Sequence, residues 1–171
     1  MKRTWVLALP LVSVIGLTGC PFESSVPLGE PRPGTLDARL LGEWQHAQAD
    51  GTISNFALLP FNSAEYYVEL RENEQEQERY RAYLVTVGGE QFLNINQVKA
   101  ERTPRPFVFA RYSISKDDVL TLRFVGDKAV PKPLGNDQKR LVKFVAAHLK
   151  GNDLDDGAEP LSLHRVPPKS P

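Results

Sequence analysis

The feature that most constrains this chain is an alternation of apolar and polar side chains with period two, recurring every 10 to 15 residues from Leu40 onward. Successive side chains of a strand point to opposite faces, so such alternation marks strands buried on one side. The pattern predicts strands at 40–47, 53–60, 64–71, 78–87, 90–98, 107–115 and 118–126. Leu120, Leu122 and Phe124 alternate with Thr121, Arg123 and Val125, and Leu93 and Ile95 with Asn94 and Asn96. The joints agree. Asp50-Gly51 and Gly88-Gly89 suit tight hairpins that need positive φ, and Lys116-Asp117-Asp118 suits a type I turn. Thr103-Pro104-Arg105-Pro106 cannot donate to a ladder at its prolines and reads as a longer loop. The acid-rich run 71–79 reads as a solvated hairpin tip rather than a charge switch.

One segment breaks the period. Across 137–150, Leu141, Phe144, Val145, His148 and Leu149 fall on one helical stripe, with Asn136 or Asp137 as cap and Gly151 to close the end. The stripe is expected to pack on a barrel wall; the competing fate for an amphipathic helix is a membrane surface. A last short strand, 161–166, returns to the sheet. The expected fold is therefore mainly β: a single antiparallel, eight-stranded up-and-down barrel with one amphipathic helix before its last strand. Closure removes the exposed edges that invite aggregation.

The chain starts differently. Met1-Lys2-Arg3 is followed by an apolar run, 5–17, broken only by Pro10 and Ser13. A membrane-spanning helix needs about 20 such residues, so this run is too short and fits a secretory signal instead. It ends in Leu17-Thr18-Gly19-Cys20, which resembles the bacterial lipobox. That resemblance implies cleavage between Gly19 and Cys20, acylation of the Cys20 thiol, and anchoring in a membrane of a bacterial cell envelope. The protein would face the periplasm in a Gram-negative host. Pro21, where the family often carries an inner-membrane aspartate, leans toward the outer membrane. Cys20 is the only cysteine, so the mature domain must be stable without disulfides or cysteine-held metal.

Removing 1–19 takes Lys2 and Arg3 and no acid, so the even balance of 21 cations and 21 anions shifts to two net negative charges. That excludes a basic nucleic-acid face and a polybasic membrane patch, leaving the lipid as the membrane partner. The remainder is one domain's worth, able to bury roughly 70% of its unfolded surface. Residues 20–35, rich in Pro, Gly and Ser, read as a semi-rigid tether, 36–166 as the barrel domain, and 167–171 as a disordered tail.

Leu40-Leu41-Gly42-Glu43-Trp44 at the head of an all-β run resembles the opening of lipocalin-like (calycin-type) domains, in which the Trp plugs the barrel's closed end. The run Gly88-Gly89-Glu90-Gln91-Phe92-Leu93-Asn94 is similar to a segment of uncharacterised bacterial lipoproteins of this type. Lipocalins also carry an acidic turn motif and a terminal Arg, neither of which the linear sequence places here.

Catalytic and metal signatures are not found. His46, His148 and His164 have no ligand spacing, and no serine sits in a G-x-S-x-G elbow. Placing Gly157 at the sixth position of a calcium loop puts Leu154 third and Leu163 twelfth, where oxygen ligands belong. The expectation is a protein that is not an enzyme and uses no cofactor. Tyr66, Tyr67, Tyr80, Tyr83, Phe92, Phe107, Phe109 and Tyr112 either fill the core or line a ligand cavity, since eight-stranded barrels can hold one small molecule. A small hydrophobic or amphipathic ligand is thus expected. The alternative is an interaction or inhibitor module that presents the acidic tip and the TPRP loop to an envelope protein.

Overall fold

The computed structural model describes residues 20–72, 75–98, 105–151 and 153–167. The expected signal segment and its expected cleavage residue Gly19, the centre of the acidic tip, Thr103-Pro104 and the last four residues therefore lie outside the described part. Eight antiparallel strands close a barrel in sequence order: β1 (Gly42–Ala47), β2 (Ile53–Pro60), β3 (Glu65–Glu72), β4 (Gln75–Val87), β5 (Glu90–Gln97), β6 (Phe107–Ile114), β7 (Val119–Phe124) and β8 (Leu161–Arg165). Helix α1 (Gln138–Ala147) stands before β8. The pairing of Trp44 with Arg165 and of Gln45 with His164 seals the ring. Closure leaves the sheet without an edge strand.

Strand ends follow the turn residues. Gly51, Gly88 and Gly89 all have positive φ, at 86°, 59° and 92°, as tight hairpins require. Gly88 is doubly constrained, because a Cβ there would stand 2.5 Å from the Leu149 side chain. The first strand is shorter than the alternation predicts. Ala38–Leu40 instead forms a 3₁₀ turn, capped by the Asp37 carboxylate accepting from the Arg39 N–H, and Gly42 at φ 125° redirects the chain into β1. The helix is shorter too. Asp137 caps its start, but the His148 N–H bonds to the Val145 carbonyl, and its ring, stacked on Phe144, bonds the Phe144 carbonyl through Nδ1. These contacts end the regular turns before Lys150.

There are two apolar cores. The lumen core contains Leu40, Trp44, Leu58, Tyr66, Ala82, Leu84, Leu93, Ala110, Leu120, Leu122, Leu161 and Leu163. The strand register places the β-strand members of this set on one common, inward face. The second core lies on the outer wall. Val87, Phe92 and Phe109, from the opposite faces of β4, β5 and β6, meet Leu141 and Val145 of α1 together with Phe22 and Leu28. The helix thus docks on the barrel wall.

The stretch 20–35 corrects the expectation of a free tether. Phe22, Ser24 and Leu28 are fully or nearly fully buried. Backbone bridges join Pro21 to Gly126 and Ser24 to Phe107, and the Leu28 N–H donates to buried Asn94 Oδ1 at 2.8 Å. Prolines keep this stretch extended, and its two large apolar side chains cover an outer strip that one helix leaves bare. The prolines alone suggested a spacer; the strip they cross decides otherwise.

Candidate functional site

The strand directions give the barrel two unlike ends. Loops 61–64, 88–89 and 115–118 and the 3₁₀ turn at Ala38–Leu40 share one end. That end is plugged. Trp44 is fully buried, its Nε1 donates to the Leu40 carbonyl at 3.0 Å, and the Arg165 guanidinium lies 4.1 Å above the indole. Arg165 also donates to the Leu41 and Arg39 carbonyls at 2.9 and 2.6 Å, so one side chain ties the last strand to the plug. The linear sequence did not single out this arginine, which stands at an inward register position of the last strand.

Asp37 completes the plug. Its backbone N–H donates to the Tyr66 hydroxyl at 2.6 Å, and its carboxylate accepts from the Tyr112 hydroxyl at 2.9 Å. The Arg39 guanidinium bonded to Asp37 holds that carboxyl at about 2, with burial working the other way and the Arg39 N–H and Tyr112 adding to the lowering. Burial pushes the Tyr66 hydroxyl up to about 12 and carries Tyr112 higher still. Both therefore serve as neutral hydrogen-bonding groups.

The other end carries the 48–52 turn, the β3–β4 tip, the β5–β6 connection and the long 125–160 connection. Here the inward side chains Phe56, Val68, Ile95 and Phe124 pack on the lumen core yet are only half-buried. They form an apolar layer between the filled lumen core and the open end. Polar groups sit at its margin. The Glu72 carboxylate accepts from Ser54 Oγ at 2.8 Å and Gln48 Nε2 at 3.1 Å, and the Tyr80 hydroxyl bonds Glu78. Burial first, then the bond to Glu78, raises Tyr80 well above the usual phenol range. His46 Nδ1 contacts the Ser162 carbonyl at 2.9 Å.

The candidate aromatics divide. Tyr66, Tyr80 and Tyr112 share the inward register, whereas Tyr67, Tyr83, Phe92, Phe107 and Phe109 take the outward one. The sequence signal for this was present: Tyr83-Leu84-Val85, Phe92-Leu93 and Phe107-Val108-Phe109-Ala110 are continuous apolar runs, the mark of strands buried on both faces.

Two concavities lie outside the lumen. One, about 260 Å³, runs along the outer wall of β6 and β7 between Arg111, Ser113, Thr121 and Arg123. Its arginines converge on buried Asp155, with Arg123 at 3.2 Å and Arg111 at 3.7 Å, so their charge is partly spent in holding the 149–158 loop. The other, about 10 Å³ beside Cys20 and Arg123, admits little more than one water. Cys20 itself is exposed, and its carbonyl accepts from the Asp127 N–H at 2.9 Å. The three histidines are dispersed over β1, the end of α1 and β8, and no metal-holding group of His, Cys, Asp or Glu occurs among the described residues. Among those residues no helix is long and apolar enough to cross a membrane.

What these parts define is a closed eight-stranded antiparallel barrel, plugged at one end by a Trp–Arg stack and carrying half-buried apolar side chains with polar groups around them at the other. No family model matches the chain, and neither a curated protein nor a solved structure matches it.

Proposed function

We propose that the chain is a lipid-anchored lipoprotein of the bacterial cell envelope whose lipocalin-like barrel holds a small hydrophobic or amphipathic molecule without acting on it chemically. The observation that carries this reading is the contrast between the two ends. A plugged floor, and inward apolar side chains that remain half-buried toward the other end, are what a one-ended receptacle would need, and they support this reading. Such sites are mostly apolar with a few polar groups that fix orientation, which matches Glu72, Ser54 and Tyr80 at the margin. Anchoring rests on Leu17-Thr18-Gly19-Cys20 behind a short apolar run, and an exposed Cys20 is compatible with acylation.

Native mass spectrometry of the unlipidated Cys20→Ser domain should find a bound species of lipid or fatty-acid mass. Val68→Trp, which adds bulk to the mouth, should lose it while keeping a cooperative melt. A domain that carries nothing, and whose melting is unmoved by a long-chain fatty acid or a lysophospholipid, would overturn the binding reading. For the anchor, Cys20→Ser should abolish fatty-acid labelling. Continued labelling would put the address elsewhere.

A specific feature favours a second reading, an interaction module. Leu59 and Phe61, 48% and 53% exposed, stand at the closed end of β2, with Arg81 stacked 3.5 Å from the Phe61 ring. Pull-down from envelope extracts that depends on Phe61 and not on Val68 would favour it.

A further inference from the structure

We infer that the lipid on Cys20 sets the barrel mouth-down on the bilayer, so that the open end faces the membrane and the Trp44 plug faces away from it. The inference rests on the anchoring proposed above and adds to it an orientation, a partner surface and a route for the ligand.

The argument runs along the chain from the anchor. The Cys20 carbonyl is bonded to the Asp127 N–H and the Phe22 N–H to the Val125 carbonyl, at 2.9 and 2.7 Å. Val125 and Asp127 follow β7 directly, and β7 runs toward the open end. Ser24 exchanges two backbone bonds with Phe107, the first residue of β6, again at the open end. The chain then descends the outer wall. Leu28 is held at Asn94 in the middle of β5, the Gly29 carbonyl accepts from the Tyr83 hydroxyl at 2.9 Å, and Gly34 donates to Ser63 beside the closed end. Anchor and plug therefore sit at opposite ends of the barrel.

No slack separates the anchor from this docked path, because bonding begins at Cys20 itself. A lipid attached through a free spacer would leave the barrel to tumble. Attached here, it holds the β7 rim against the headgroups. The half-buried apolar side chains of the mouth, Phe56, Val68, Ile95 and Phe124, then open toward the source of any acylated molecule. A ligand passes between lumen and bilayer without crossing bulk water.

The test uses the full lipidated protein in vesicles containing a headgroup-level nitroxide lipid, with a fluorophore on Asp50→Cys in the β1–β2 turn or on Asp117→Cys in the β6–β7 turn. Both positions are exposed. Strands of this length at a usual barrel tilt separate the ends by about 20 Å, beyond the reach of a contact quencher. The label at 50 should lose most of its emission and the label at 117 almost none. Equal quenching, or stronger quenching at 117, overturns the orientation. A ten-residue Gly/Ser insertion after Cys20 should erase the difference, since it restores the spacer; an undiminished difference would mean that the docked segment does not set it. If Cys20 incorporates no fatty acid at all, the anchoring reading fails, and that failure is read from the labelling, not from the quenching.

Discussion

Substituting Phe22 by Ala should show whether the segment after Cys20 belongs to the fold. Phe22 has no exposed surface and packs in the outer core with Phe92, Phe109, Val125 and Leu141. Truncating such a side chain costs about 3–5 kcal/mol, through lost transfer energy and the cavity left behind. The whole domain has about 5–15 kcal/mol to lose. For a chain of this size each kcal/mol moves the melting temperature by roughly 2–4 °C, so a fall of roughly 6–20 °C is expected. One process limits the loss. The weakened segment can detach, which caps the penalty at its docking energy and leaves Phe92 and Phe109 open to a hydrophobic dye. Thermal melts of the Cys20→Ser domain, followed by circular dichroism with and without dye, read both outcomes. Arg32→Ala, at an exposed position of the same segment, is the control and should leave the melt alone. If Phe22→Ala melts with the parent and binds no dye, the segment contributes nothing and the packing argument fails.

Trp44→Ala should cost about 3–5 kcal/mol; a domain starting at position 20 holds Trp44 and not Trp5, so its fluorescence reports Trp44 alone, and a water-exposed emission spectrum in the parent would contradict the plug. The Asp37 carboxyl lies at about 2 in the fold against 3.8 ordinarily, so the stability it adds is full above about pH 4 and drains as pH falls through about 2. Asp37→Asn should flatten that acid limb, and equal steepness in parent and variant would refute the pairing. Leu141→Asp, which sets a charge into the outer core, should destabilise the unlipidated domain by at least the roughly 2–5 kcal/mol of a Leu→Ala change. A variant that melts like the parent but loses vesicle binding would assign α1 to the membrane.

Much of this architecture is legible because alternation is a local signal. β2 has the bounds that period two marks, and the Gly51 and Gly88-Gly89 turns sit where positive φ is needed. Local signals stop at what a segment packs against. The Pro-rich stretch after Cys20 carries its prolines openly, but whether Phe22 is buried depends on Phe109, far along the chain. Arg165 is similar: nothing near it in sequence distinguishes a plug-forming arginine from a surface one, and only closure of β8 on β1 brings it over Trp44. The aromatics were misjudged as one set because composition counts residues, while the register assigns them to faces.

The two cores explain each other. A barrel alone needs one apolar face per strand, and β1, β2, β7 and β8 largely conform. β4, β5 and β6 carry apolar side chains on both faces, so each needs a cover, and the chain supplies two: α1 from the β7–β8 connection and the segment after Cys20 from the other terminus. They meet across Ser25 and Gly135, where the Ser25 N–H donates to the Gly135 carbonyl at 2.8 Å. Neither cover would be held as well without the other, because Phe22 packs between the barrel wall and the residues that lead into the helix. Burial on both faces stiffens the three strands that carry Ile95, Tyr80 and Val108 toward the mouth. The side of the barrel nearest the proposed anchor is thus the most heavily buttressed. The opposite side, β1 to β3, contributes nothing to this outer core; its outer face carries half-buried Tyr67 and exposed Ile53 and Leu59, and neither cover reaches it.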